Sequence, residues 1–149
     1  MEKTNKKFVA YVFFFLYCGI MIWLLFFGTR QPNYGEYWAQ VAGNYSVKPL
    51  YTIRNYLWVL RHSSNASLIR HCAVNLIGNV FLFIPAGYFF PRLWHFFRPF
   101  WRFFLWIFFL LLLIEGLQLF SLRGRLDVDD ILLNLTGLTM GYLLYKFSK

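Results

Sequence analysis

Four apolar runs, at residues 8–27, 72–90, 103–120 and 131–147, constrain this chain more than any other feature. About 20 helical residues rising 1.5 Å each cross a hydrocarbon core roughly 30 Å thick, so the first three have spanning length. The fourth is short because Lys146 interrupts it, but a lysine at a helix end snorkels to the interface. Composition agrees. Of 149 residues only 14% are charged and 59% are hydrophobic, whereas a soluble domain carries about 25% charged residues. The pattern predicts an all-α membrane protein, a four-transmembrane-helix bundle forming one domain over residues 1–149, with no internal repeats.

The first run reads as a signal anchor. Lys3, Lys6 and Lys7 precede it, but its apolar core exceeds the usual 7–15 residues of a cleaved leader, and Gly28-Thr29-Arg30-Gln31-Pro32 offers no small-residue cleavage site. Cys18 lies mid-helix and Cys72 at a helix end, about half a bilayer apart, so no disulfide is expected. The net charge of +9 comes from basic residues flanking the membrane segments, not from one patch, which points to anionic lipid and away from nucleic acid.

Residues 28–71 are too long for a simple connector and carry Tyr34, Tyr37, Trp38, Tyr45, Tyr51, Tyr56 and Trp58, an interfacial composition. Over residues 52–61, Ile53, Tyr56, Leu57 and Leu60 recur at helical spacing with Arg54 and Arg61 off that face. This predicts a short amphipathic helix lying on the bilayer. Residues 94–102, rich in Trp, Phe and Arg, read as a second interfacial anchor. Positive residues are denser before the first run and around Arg92, Arg98 and Arg102 than in the other connections. Both termini are therefore expected in the cytoplasm.

That orientation gathers the membrane-buried polar residues near the external face. His71, Asn75 and Asn79 recur every four residues in the second run, drifting about 40° per step. Pro85 should bend this helix and free a carbonyl. Asparagines in a span have a plain reading as glue between helices, beside a functional one as ligand contacts. Glu115 and Gln118 stand at i, i+3 in the third run, and Glu115 is the only acid inside any apolar run. Such a carboxyl must be protonated, wetted or paired; Arg123 and Arg125 are the nearest cations in sequence. A structural clamp and a ligand- or proton-handling group both fit. Asp127, Asp130 and Asn134 follow at i, i+3, i+7, within about 60° on a helix. Asp127 or Asp129 suits a helix cap, which explains one aspartate and not three. Gly137 and Gly141 form a close-packing pair on the face of Asn134, within the chain or between copies. Asp127, Asp130 and Glu115 are hard oxygen ligands, but their spacing matches no standard metal loop, so neither metal nor cofactor is expected.

Three stretches in this order resemble the VanZ-like membrane family: Asn75-Leu-Ile-Gly-Asn79-Val-Phe-Leu-Phe-Ile-Pro85-Ala-Gly87, then Glu115-Gly-Leu-Gln118, then Arg125-Leu-Asp127-Val-Asp129-Asp130-Ile-Leu-Leu-Asn134-Leu-Thr-Gly137. Upstream, Asn44-Tyr-Ser-Val-Lys-Pro49-Leu-Tyr-Thr-Ile53 is similar to another family stretch, with Leu50 where phenylalanine is usual. The likeness spans residues 44–145. It implies a multi-pass protein of the bacterial cytoplasmic membrane. The family's founding member is associated with low-level resistance to the glycopeptide teicoplanin.

Three functions stay open. The favoured one is a cell-envelope factor, not an enzyme, that binds a membrane lipid, a lipid-linked wall precursor or a glycopeptide. Its outer-leaflet pocket would comprise Asn75, Asn79, Glu115, Gln118, Arg125, Asp127, Asp130 and Asn134. The second is a membrane enzyme acting on a polyprenyl- or lipid-linked substrate, with Glu115 as candidate catalytic acid or base. The third is a structural or partner-binding bundle, with an oligomer through Gly137 and Gly141.

Overall fold

Lipid offers no partner to a backbone N–H or carbonyl, so an apolar run that crosses it must be helical. A computed structural model describes residues 2–27 and 35–148. The stretch read as lacking a cleavage site, with its Arg30, and also Tyr34, Lys149 and the side chains of Lys3 and Lys6, lie outside the described residues. The helices are α1 (Glu2–Phe26), α2 (Tyr37–Gly43), α3 (Tyr51–His62), α4 (Ala66–Leu93), α5 (Phe100–Phe120) and α6 (Val128–Phe147). Two short strands, β1 (Tyr45–Ser46) and β2 (Leu126–Asp127), pair in parallel. Among the described residues three helices are long and apolar enough to cross a membrane: α1 from Lys7, α4 and α5.

Helix α4 begins six residues before the apolar run, and the reason is its cap. Asn65 Oδ1 accepts from Ser67 N at 3.0 Å and Leu68 N at 3.2 Å, closing the first turn in polar sequence. The helix continues through Pro85 and Pro91. Proline has no N–H, so Pro85 leaves the Phe81 carbonyl without its helical donor. One residue along, the Tyr17 hydroxyl donates to Leu82 O at 2.7 Å, tying α1 to α4 at this weakened turn.

Contacts fix the relative directions. Tyr11 reaches Leu93 O and Tyr17 reaches Leu82 O, so α1 runs antiparallel to α4. Phe103 stacks on Tyr142 near the start of α5 and the end of α6, so these two are also antiparallel. Helices α4 and α6 are parallel and share the most extensive packing in the molecule. Glycine permits it. A Cβ on Gly137 or Gly141 would collide with the Val80 or Ile84 carbonyl of α4, and one on Gly87 with the Leu138 carbonyl of α6. The expected close-packing face therefore exists, and within the chain it meets α4.

The core lies between α4, α5 and α6, where Phe83, Ala86, Phe103, Ile107, Leu111, Ile131, Leu138 and Tyr142 are buried with Met21 of α1. Phe13, Phe81, Phe109 and Leu144 point outward, as expected of helices buried along one stripe in an apolar solvent. At the end that carries both termini, Tyr11, Phe14, Phe90, Trp94 and Phe97 form edge-to-face ring contacts. Arg102 lies over Phe96 and Trp101 in the expected second anchor. Cys18 and Cys72 are free thiols.

Helix α3 matches the expected amphipathic helix in position but differs in face. Ile53, Tyr56 and Leu60 are half-buried where α3 meets α4 and α6, and Arg54 and Arg61 are exposed. Leu57 is turned outward beside Trp58, at 42% and 61% exposure, because the docked stripe runs through positions 52, 53, 56, 59 and 60.

Substituting Gly141→Leu should destabilise the fold by about 3 kcal/mol, the upper end of overpacking costs, because its side chain meets α4 backbone that cannot swing away. Thermal unfolding in detergent reads this as a lower midpoint. A midpoint equal to wild type would contradict the α4–α6 packing.

Candidate functional site

The polar residues collect at the end of the bundle away from the termini, where α3, the β1–β2 pair and the start of α6 meet. The chain reaches this point through a tight turn. Helix α5 ends with Leu122 left-handed at φ 55°, and Gln118 O accepts from Arg123 N and Gly124 N, each at 3.1 Å. That is a Schellman-type closure, with leucine in the position that usually carries glycine. Asn44 then holds the turn on both sides: its Nδ2 donates to Gly124 O at 2.6 Å and its carbonyl accepts from Leu126 N at 3.1 Å.

Asp127 caps α6, its Oδ1 accepting from Asp129 N at 3.0 Å. Its Oδ2 accepts from the Thr52 hydroxyl at 2.7 Å. Asp129 does something different. It caps α3, a helix more than seventy residues upstream: Oδ1 accepts from Leu50 N at 2.5 Å and Oδ2 from Ile53 N at 3.0 Å. Leu50, the N-cap residue of α3, is left-handed at φ 62° and supplies no side-chain cap of its own. Asp129 is fully buried. Two helix N-termini, each worth about half a positive charge, converge on Asp129 and Asp127.

Asp130 is half-buried, and its Oδ1 accepts from Asn79 Nδ2 at 2.7 Å. Glu115 is 3% exposed, and its Oε2 accepts from the Asp127 N–H at 3.3 Å. Of the options left open for Glu115, the bond it makes is to backbone, not to the guanidinium of Arg123 or Arg125. Arg123 lies over the Phe27 ring, and Arg125 is exposed at this end, close enough to Asp130 to act on it electrostatically.

The structure thus brings together Asn79, Glu115, Asp127, Asp129, Asp130 and, on the same face of α6, Asn134. Two expected members stand apart. Asn75 folds back on its own helix, its Nδ2 donating to His71 O at 2.8 Å. Gln118 Nε2 donates to Leu25 O at 3.0 Å, serving the α1–α5 contact. Three residues not singled out as site candidates belong to it: Asn44, Thr52 and Tyr56. The first two lie in the upstream stretch of the family resemblance, which was the available signal. Tyr56 packs edge-on to His71 with ring centroids 6.2 Å apart. Burial pushes the Tyr56 hydroxyl above its ordinary range, with the Asp130 carboxylate, Cys72 and Asp127 adding to the effect and Arg125 opposing it.

Counting acceptors separates scaffold from surplus. Both oxygens of Asp127 and of Asp129 are taken. Asp130 has one oxygen bonded and one to spare. Asn134 is 3% exposed, and its Oδ1 has no hydrogen-bond partner. An orphaned buried acceptor costs about 1–3 kcal/mol, so a group kept this way needs a donor from elsewhere. No three His, Cys, Asp or Glu side chains among the described residues are arranged to hold a metal ion. For Asp127 the reason is plain, since its lone pairs are committed to capping and to Thr52.

A family model described as VanZ/LLP1 matches residues 14–149. No curated protein and no solved structure matches the chain.

Replacing Asp129 with alanine removes two charge-assisted bonds to α3, each worth about 1.5–3 kcal/mol. The Asp129→Ala variant should therefore show a strongly reduced folded yield and unfolding midpoint, with Asp129→Asn intermediate. Arg125→Gln, at an exposed position, should stay within about 0.5 kcal/mol of wild type. Thermal unfolding of the three detergent-solubilised variants checks the order.

Proposed function

The chain belongs to the VanZ/LLP1 family, and on that footing we propose that it is a four-span protein of the bacterial cytoplasmic membrane. It binds, without turnover, a membrane lipid, a lipid-linked wall precursor or a lipophilic glycopeptide such as teicoplanin at its polar end. As the fourth span, α6 has 20 residues, about 30 Å of helix, and Lys146 in its last turn for the interface. It runs beside α4 through the depth marked by Gly137 and Gly141. Both termini are cytoplasmic, in keeping with the density of lysine and arginine there. The polar end then faces outward, and α3 lies in the outer interface with Leu57 and Trp58 toward lipid.

The observation that carries this reading is the surplus left by the scaffold: the spare oxygen of Asp130, the orphaned Oδ1 of Asn134 and the exposed Arg125. Polar capacity left open beside hydrocarbon is expensive, and none of these three is needed to close a helix. The catalytic alternative has less support. Glu115 is nearly inaccessible and holds the Asp127 N–H, a positioning task and not one of proton exchange with a substrate. A structural or partner-binding bundle draws on the saturated caps of Asp127 and Asp129.

Two experiments test the proposal. In a deletion strain complemented at normal protein levels, Asp130→Asn should behave as the deletion does, altering teicoplanin susceptibility or envelope lipid content, whereas wild type restores both. Equal behaviour of all three strains would remove the envelope role. In a variant lacking Cys18 and Cys72, a cysteine placed at Ser121 should react with a membrane-impermeant maleimide added to whole cells. Reaction only after lysis would invert the topology.

A further inference from the structure

We infer that the ligand of this end of the bundle is the zwitterionic headgroup of an amine-bearing phospholipid, its ammonium on Asp130 and Asn134 and its phosphate on Arg125. This rests on the lipid-binding reading above and narrows it to a chemical class. The three groups lie at one end of α6 and its entry turn, and they are complementary in sign. Asp130 is half-buried, with one carboxylate oxygen bonded to Asn79 and the other without a partner. One helical turn below, about 5–6 Å between Cβ atoms, the Oδ1 of Asn134 has no donor. A primary ammonium carries three N–H donors on one centre and can serve a carboxylate and an amide oxygen together. Arg125 stands outside them, an exposed guanidinium in electrostatic contact with Asp130, and its planar fork suits a phosphate.

The surroundings argue against the other common headgroups. A trimethylammonium has no N–H to give, so it leaves the Asn134 acceptor as it is. An anionic headgroup without an amine meets Glu115, Asp127, Asp129 and Asp130 with one nearby guanidinium to offset them. The Tyr56 ring, half-buried on α3, lies edge-on to His71 and near enough to Asp130 to feel its charge.

The test uses the full chain purified in detergent and exposed to mixed micelles of phosphatidylethanolamine, phosphatidylcholine and phosphatidylglycerol, with retained lipid identified by native mass spectrometry. Phosphatidylethanolamine should be retained about tenfold or more over the other two, the size expected from one charge-assisted hydrogen bond. Arg125→Gln should lower retention of all three lipids alike, since each carries the phosphate, whereas Asn134→Leu should reduce that preference to about one. Asn134→Leu should do so without lowering the unfolding midpoint, because the Oδ1 it removes has no partner within the protein. Equal retention of the three lipids overturns the inference, as does a preference unchanged in Asn134→Leu or a total retention unchanged in Arg125→Gln. Preferential retention of phosphatidylglycerol overturns the amine assignment while leaving lipid binding in place. Retention of no lipid removes both. Soluble phosphoethanolamine should fail to displace the retained lipid at equal concentration; displacement would assign the site to a soluble amine phosphate and overturn the lipid source.

Discussion

The carboxylate of Asp129 is the interaction on which the polar end of the molecule depends. It is the first-turn side chain of one helix and the cap of another, joining Leu50 and Ile53 of α3 to the entry of α6. A charge with no exposure would ordinarily be prohibitive. Here two helix N-termini meet it, and each of its oxygens has a backbone N–H. Asp127 repeats the logic at shorter range, with Thr52 as its second donor. Together they convert a polar, non-spanning segment into a fixed roof over the bundle.

Beneath that roof the packing follows from small residues. Parallel helices α4 and α6 approach until the carbonyls of Val80, Ile84 and Leu138 lie where side chains would otherwise start. In lipid, where apolar surface gains little by leaving the solvent, such close contact is a main source of helix association. Glu115 of α5 then reaches the Asp127 N–H, so the third span is keyed to the same cluster. The unbonded oxygens of Asp130 and Asn134 sit where the roof meets this seam.

How much of this was legible in the sequence depends on the range of the interaction. The apolar runs located α1, α4 and α5 because hydrophobic length is a property of one segment. The pair Gly137 and Gly141 announced a close-packing face, and its partner was found inside the chain. Most of the polar residues named from the sequence lie together at one end, but their hydrogen-bond partners could not be read from spacing. Asp129 looks like a local cap by spacing, and only the fold reveals that it serves a helix far upstream. Asn75 and Asn79 look equivalent by periodicity, yet Asn79 reaches Asp130 while Asn75 satisfies itself on His71. Leu57 fell on the wrong face because a one-sided pattern cannot say which of two adjacent stripes a neighbour will cover. For Glu115 the spacing left protonation, wetting and pairing open, and its bond goes to an N–H from a turn twelve residues away.

The distant cap of α3 has a consequence for biosynthesis. A ribosome makes the helix long before it makes the acid that closes it, with 79 positions separating Leu50 from Asp129. Until the start of α6 has been made, the left-handed turn at Leu50 lacks the carboxylate that accepts its N–H. The roof is therefore assembled retroactively, so the entry to α6 determines whether the earlier loop acquires its shape.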